Sequence, residues 1–128
     1  MRLEELLAGA EVDRISGDRR MEIRGLTHDS RQAKPGDLFF ALTSDRERNR
    51  ANVNDALDRG ASAVVVMRGG GGIAHSTATM VECERPRQVM GAAASRFFGA
   101  PSERLDLVGV TGTSGKTTVT YLLASIFE

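Results

Sequence analysis

A short loop rich in glycine and hydroxyl groups is the clearest place for chemistry in this sequence. It reads TGTSGKTT and runs from Thr111 to Thr118. Gly112 and Gly115 let backbone N–H groups converge on an anion, and the N-terminus of a following helix adds partial positive charge. Lys116 could then reach the β- and γ-phosphates of a nucleotide, and the Thr117 hydroxyl could hold Mg²⁺. The loop therefore predicts a phosphate-binding site of the P-loop kind.

The segments on either side of this loop are those that a P-loop requires. An apolar run from Leu105 to Val110 predicts a buried parallel strand, and a helical stripe follows the loop, formed by Val119, Leu122, Leu123, Ile126 and Phe127. The strict pattern GxxxxGK[ST] fails at one position, because Val110 stands where it has glycine. The alternative is a glycine-rich turn that binds nothing, although Gly-Lys-Thr at the start of a helix has no evident packing purpose.

Composition excludes several classes of function. Among 128 residues, Lys+Arg and Asp+Glu each number 17, so the net charge is zero and no basic excess indicates nucleic-acid binding. The sequence contains no run of 18 apolar residues, so no membrane-spanning helix is predicted. One cysteine, Cys83, precludes an internal disulfide and fits a reducing compartment, where it is expected to be a small hydrophobe on a strand. With two histidines, no metal centre is inferred from protein ligands alone. We expect a cytoplasmic protein with no nucleic-acid or membrane partner.

The rest of the chain alternates strands and helices, which predicts a small α/β domain of four to six strands. Residues 2–9, the segment from Val53 to Gly60 and residues 85–99 are the predicted helices. The predicted strands lie within residues 12–16, 21–30, 38–42, 61–67 and 77–83. Between them we predict a type II turn at residues 34–37, a charged loop at 43–50 and a glycine-rich loop at 68–76.

A stretch of glycine, proline and serine, GAPSERL at residues 99–105, predicts a linker with a domain boundary near Pro101. Residues 1–101 would form the first domain and residues 102–128 the start of a second. One strand and one helix cannot bury a core of their own. We therefore expect the chain to be a fragment of a longer enzyme.

Two stretches taken together resemble the N-terminal part of the Mur ligase family. The first is GLTHDSRQAKPGDLFFAL, followed further on by ALDRGASAVVV, and the second is RFFGAPSERLDLVGVTGTSGKTTVTYLL. The resemblance covers nearly the whole chain. The junction FFGAPSERLDLVGVTGT favours the MurE type, which adds the third residue of the peptidoglycan stem peptide, over the MurF type, which adds the terminal dipeptide.

This resemblance implies a first domain that binds the uridine nucleotide of the substrate and a central domain that binds ATP. It places His28 and Ser30 at the uridine diphosphate, and Asp45, Arg46 and Glu47 in a loop that contacts it. The family loop usually has a glycine after the strand and Asp-Gly before the helix, whereas this chain has SDRERNR. By the residues alone, Asp29-Ser30-Arg31 fits equally a turn in which Asp29 or Ser30 caps backbone N–H groups.

The same resemblance assigns ATP to the glycine-rich loop, with Lys116 as the catalytic residue and Thr117 as the Mg²⁺ ligand. The ATP-binding residues would be Gly112, Thr113, Ser114, Gly115, Lys116, Thr117 and Thr118. Ser114 stands where the family usually has asparagine, a mild change between two short hydrogen-bonding side chains.

The activity implied is ATP-dependent amide formation. The free carboxylate of UDP-N-acetylmuramoyl-L-Ala-D-Glu would attack the γ-phosphate, and the amine of diaminopimelate or lysine would displace phosphate from the acyl phosphate. No obligate protein partner is inferred. The chain alone is expected to be inactive, because a P-loop provides one wall of an ATP site. The alternatives are a MurF-type ligase, an unrelated P-loop kinase or GTPase, and a non-catalytic uridine-nucleotide-binding module with a vestigial P-loop.

Overall fold

Five strands and four helices make up the α/β fold in the part of the chain that the structure describes. A computed structural model of the protein describes residues 1–70, 77–106 and 108–127. The helices are α1 (Leu3–Leu6), α2 (Arg46–Asp58), α3 (Pro86–Phe97) and α4 (Lys116–Phe127). The strands are β1 (Arg14–Ser16), β2 (Gly25–Thr27), β3 (Asp37–Phe40), β4 (Ala63–Met67) and β5 (Thr79–Cys83). The predicted α/β class and number of strands are confirmed.

The five strands form one mixed sheet in the order β1-β5-β4-β3-β2. Strands β2 to β5 are parallel, with Leu38 of β3 opposite both Leu26 of β2 and Ala63 of β4. Strand β1 runs antiparallel to β5 and places Ile15 opposite Val81. The carboxyl ends of β2, β3 and β4 consequently meet at one edge of the sheet, which is where ligands bind in open parallel sheets.

The core lies on both faces of the sheet, which explains why β3 and β4 are continuously apolar. Leu38 and Phe40 pack with α1 and α3 on one face, whereas Phe39 packs with α2 on the other. Both phenylalanines are at most 1% exposed, and burial of each contributes roughly 1.5–3 kcal/mol. Helices α2 and α3 therefore cover opposite faces of the same strands.

The turn before β3 forms as predicted. The Asp37 N–H donates to the Lys34 carbonyl at 3.1 Å, and the Lys34 N–H donates to the Asp37 carboxylate at 3.0 Å. Gly36 has φ of 93°, the left-handed conformation that a type II turn requires at this position.

The antiparallel strand β1 is held by a close approach of backbone to side chain at Gly17. A Cβ atom at Gly17 would lie 2.6 Å from the Thr79 hydroxyl, and Gly17 has φ of 122°. The buried Thr79 hydroxyl accepts a hydrogen bond from the Asp18 N–H at 2.9 Å and donates one to the Asp18 carbonyl at 3.3 Å. Glycine is therefore required here so that the chain leaving β1 can turn against β5.

The charged loop predicted at residues 43–50 is wrong over most of its length. Helix α2 begins at Arg46, and the Asp45 carboxylate caps it by accepting the Arg48 N–H at 3.0 Å. Arginine and glutamate favour helices, and aspartate is a preferred cap. The first helical turn faces solvent, so it lacks the apolar periodicity that predicts a start at Val53.

The strand predicted from Leu105 to Val110 does not form in the residues that the structure describes there. A parallel strand needs a neighbouring strand for its backbone hydrogen bonds, and Leu105 and Val108 are instead 61% and 64% exposed. The predicted linker contains a short 3-10 helix at Pro101–Arg104, preceded by Ala100 with φ of 48°. Most of the predicted glycine-rich loop at 68–76 lies outside the described residues.

Cys83 is buried on β5, as predicted. Its thiol lies 3.7 Å from the Val66 carbonyl, and burial raises its pKa to about 11. This cysteine is part of the apolar core rather than a reactive thiol. None of the helices in the described ranges combines the length and apolar character needed to cross a bilayer.

Candidate functional site

The glycine-rich loop leads directly into helix α4, which begins at Lys116. Gly115 has φ of 78°, and its carbonyl accepts the Val119 N–H at 3.0 Å to close the first helical turn. The first backbone N–H groups of a helix have no partner within it, and they carry the positive end of its dipole. The loop and the first turn are exposed. This geometry leaves backbone donors available to an anion.

Lys116 folds back over the same loop. Its ammonium group donates a hydrogen bond to the carbonyl of Gly112, whose φ is 150°. The Thr120 hydroxyl donates to the Lys116 carbonyl at 2.5 Å, within the helix. The ammonium, the backbone donors and the Thr117 hydroxyl fit a nucleotide phosphate. If the Thr117 hydroxyl were a Mg²⁺ ligand, as the sequence predicts, phosphate oxygens and water would have to complete most of the coordination.

A cleft of about 760 Å³ lies at the carboxyl edge of the parallel strands. His28 follows β2, Leu42 to Ser44 follow β3, and Met67 ends β4. The helices on the two faces complete the cleft, with Arg48 and Asn52 from α2 and Arg87 from α3. The position of this cleft follows from the topology, because parallel strands bring the segments after them to one edge.

A second cavity of about 550 Å³ adjoins the cleft and shares His28, Arg48 and Asn52 with it. Its remaining lining is more acidic and consists of Asp29, Ser30, Arg31 and Asp55. The structure therefore brings the predicted residues His28 and Ser30 together. Together the two cavities form one depression, with an acidic half beside the 3-10 helix Ser30–Gln32 and a cationic half near α3.

Asp29 organises the turn at the acidic half. One of its carboxylate oxygens accepts the Arg31 N–H at 3.1 Å and Arg31 Nε at 2.9 Å, while the other accepts Nη2 at 2.8 Å. The hydrogen bonds from Arg31 lower the pKa of Asp29 to about 2. The capping role that the residues alone allowed for Asp29 is thus present.

Ser30 is buried at the edge of the second cavity. It lies beside Asp55 of α2, and the interaction with Ser30 is the largest cause of the lowered pKa of that carboxyl group. The Arg59 guanidinium, 3.0 Å from the same carboxylate, lowers it further. Ser30 therefore joins the turn after β2 to α2, and its oxygen lone pairs remain able to accept a bond from a ligand.

Asp45, Arg46 and Glu47 lie in the chain between Ser44 and Arg48, both of which line the cleft. Asp45 caps α2, while Arg46 and Glu47 are exposed in its first turn and line neither cavity. The residues that do line the depression from α2 are Arg48, Asn52 and Asp55. Their spacing of i, i+4, i+7 defines one helix face, a signal visible only once the helix is known to begin at Arg46.

Substitution of Asp29 by asparagine should weaken the acid sensitivity of the fold. A carboxyl group with a lowered pKa contributes stability above its unfolded value near 3.8, and that stability is lost as the pH falls towards 2. Thermal melts of the Asp29→Asn protein between pH 4 and pH 2 should therefore change less steeply than those of the wild type. Asp58→Asn, which alters an exposed carboxylate at the end of α2, is the matched control. An unchanged slope in Asp29→Asn would contradict the role of the Arg31 pair.

The whole chain is similar to curated ligases, although it matches no protein-family model. The UDP-N-acetylmuramoyl-L-alanyl-D-glutamate–2,6-diaminopimelate ligase of Pseudomonas aeruginosa is 42% identical over 129 residues. This alignment covers all of the chain and 25% of the relative. The ligases of the same name from Caldanaerobacter subterraneus and Bacteroides fragilis are 40% and 36% identical over 128 residues, again over all of the chain and 26% of each relative. The chain thus spans about a quarter of the length of these relatives.

The fold defines an α/β domain with an open, mostly parallel sheet and a cleft at its carboxyl edge, followed by a glycine-rich loop and a helix. Identity at this level over the whole chain makes the assignment more specific. The chain belongs to the Mur ligase family, and its relatives are of the MurE type.

Proposed function

We propose that this chain provides the substrate-nucleotide domain and the phosphate loop of an ATP-dependent ligase of peptidoglycan precursor synthesis. The whole-chain identity to ligases of one name is the observation that carries the proposal. The ligase would join 2,6-diaminopimelate, the amino acid in the names of those relatives, to UDP-N-acetylmuramoyl-L-Ala-D-Glu. Residues 1–101 would bind the uridine nucleotide, and residues 102–128 would begin the ATP-binding domain.

In this reaction the protein has to bring a carboxylate to the γ-phosphate of ATP and stabilise the negative charge that develops. Lys116 is suited to this charge, and the N–H groups of Gly115 to Thr118 are suited to the phosphate oxygens. Mg²⁺ would neutralise phosphate charge when bound, with the Thr117 hydroxyl as its ligand from this loop. The loop is exposed in this chain, so the chain alone is expected to release no phosphate from ATP.

Separate calorimetric titrations of the 128-residue chain test the proposal. UDP and the UDP-muramoyl dipeptide should bind with one-to-one stoichiometry, and Lys116→Ala should leave that binding intact because Lys116 lies outside the cleft. ATP should bind more weakly, through the loop, and this binding should be lost in Lys116→Ala. Failure to bind either uridine nucleotide would contradict the proposal. Binding of UDP by a full-length protein that does not hydrolyse ATP would favour a non-catalytic module.

Ser30→Ala should weaken binding of UDP by roughly 1 kcal/mol, the cost of one lost hydrogen bond that leaves a partner unsatisfied. Loss of the hydroxyl removes an acceptor from the cavity and also frees the Asp55 carboxylate beside it. Ser16→Ala on β1 is the control, because Ser16 is exposed and lines neither cavity. Unchanged affinity for UDP in Ser30→Ala would rule out a direct role for this hydroxyl.

A further inference from the structure

The depression at the carboxyl edge has two electrostatically different halves. The acidic half carries Asp29 and Asp55, whose pKa values are both lowered, so both side chains hold negative charge at neutral pH. Carboxylates accept hydrogen bonds and repel phosphate. This half suits the donors of a nucleoside, which are the N–H of a uracil ring and the hydroxyls of ribose. Arg31 and Arg48 line this half together with the two carboxylates, so it carries no excess of positive charge that would attract a diphosphate.

The other half carries two arginines from opposite faces of the sheet. Arg48 comes from α2 on one face and Arg87 from the first turn of α3 on the other, and both line the 760 Å³ cleft. Both belong to the lining of the cleft at the ends of β3 and β4. A diphosphate presents oxygens in two directions. A diphosphate bound in this cleft could therefore accept hydrogen bonds from an arginine on each side.

Neither arginine is neutralised by a carboxylate within the described ranges. The other arginines nearby are paired, since Arg31 bonds to Asp29, Arg59 to Asp55 and Arg68 to Asp13. Arg48 and Arg87 form no such ion pair in the described parts of the chain. Glu84 lines the adjoining cavity of about 310 Å³ with Arg87, without reaching salt-bridge distance of it. Two guanidinium groups without partners remain available to an anion, which they can bind in bidentate fashion.

We propose that Arg48 and Arg87 bind the diphosphate of the uridine nucleotide and set its direction in the cleft. The nucleoside lies in the acidic half beside Ser30 and Asp55, and the phosphates lie between the two arginines. This inference rests on the proposed function, because it assumes that the cleft takes a uridine nucleotide. The inference goes beyond the proposed function because it names the residues that recognise the phosphates and gives the orientation of the ligand.

Calorimetric titration of the 128-residue chain with UDP, UMP and uridine tests the assignment. UDP should bind more tightly than UMP, and UMP more tightly than uridine. Arg48→Gln and Arg87→Gln should each lower the affinity for UDP by about tenfold to a hundredfold, the scale for losing a hydrogen bond between charged groups. Both variants should also reduce the preference for UDP over UMP and leave the affinity for uridine unchanged.

Two control variants distinguish this site from other sources of positive charge. Arg50→Gln removes an exposed arginine of α2, and Lys34→Gln removes an exposed lysine of the turn before β3; neither residue lines the two cavities. Both should bind UDP like the wild type. Thermal melts show whether each variant is folded.

The outcomes separate the inference from the function on which it rests. If the wild type binds UDP and the Arg48 and Arg87 variants bind it equally well, the inference is overturned and the proposed function stands. An equal loss of uridine affinity in these variants would also overturn it, because the arginines would then support the nucleoside or the fold. If the wild type binds no uridine nucleotide, the inference and the proposed function fail together.

Discussion

Lys116→Ala should lower the turnover of the full-length ligase proposed here by about a hundredfold or more. This is the scale observed when one donor that stabilises a developing charge is removed from an active site. The structure places the ammonium against the loop backbone at Gly112, at the start of a helix whose N–H groups point to the same region. The measurement is ATP-dependent phosphate release with the UDP-muramoyl dipeptide and diaminopimelate.

Thr120→Val is the matched control for this substitution. The Thr120 hydroxyl lies one turn further along α4 and bonds to the Lys116 carbonyl within the helix, so its loss should change turnover little. The affinity for UDP should be the same in both variants, because neither residue lines the cleft. Turnover by Lys116→Ala within a fewfold of the wild type would remove this lysine from the phosphoryl-transfer step.

Removal of helix α4 should make the 128-residue chain more monomeric without lowering its stability. The apolar stripe of this helix is exposed, with Leu122 at 60%, Ile126 at 73% and Phe127 at 76%. Burial of each large apolar side chain contributes roughly 1.5–3 kcal/mol, and a whole domain has only about 5–15 kcal/mol of net stability. An uncovered stripe of this size favours association between copies of the chain.

Light scattering and thermal melts of two proteins test this expectation, one with all 128 residues and one ending at Ser102. The longer protein should self-associate with rising concentration, and the shorter one should remain monomeric and melt at the same temperature or higher. A third protein of full length that carries Leu122→Ser and Ile126→Ser should behave like the shorter one. If the longer protein is monomeric and melts higher, α4 packs on the first domain in solution and the proposed boundary near Pro101 is wrong.

The central strands of the sheet could be predicted from the sequence because they are buried on both faces. Leu38 to Phe40 and Ala63 to Val66 need no context to be recognised, since a short and continuous apolar run is typical of a strand covered on both sides. The start of α2 could not be predicted in this way, because Arg46, Glu47 and Arg48 face solvent. Periodicity reports the buried face of a helix, so a turn without such a face leaves no periodic signal.

The glycine-rich loop and the cleft also differ in how far the sequence alone predicts their residues. The glycine-rich loop is a local motif, so its residues can be named from spacing alone. The cleft is assembled from segments distant in sequence, and Arg87 joins Arg48 only because α3 and α2 cover opposite faces of one sheet edge. No local pattern contains that information. The prediction of His28 and Ser30 as binding residues rests on family resemblance and on no local sequence pattern.

Strand β1 also protects the edge of the sheet against pairing with other molecules. Without it, β5 would present five residues of unpaired backbone, the kind of edge along which separate molecules join into aggregates. Strand β1 covers this edge and becomes the edge strand itself. It has only three residues, one of them the charged Arg14, and a short charged edge strand pairs poorly with other molecules. The chain leaves β1 at Gly17, where it packs directly against Thr79 of β5. A methyl group at that position would clash with the hydroxyl and the backbone of Thr79, so Gly17→Ala should loosen β1 and favour aggregation along the edge of β5.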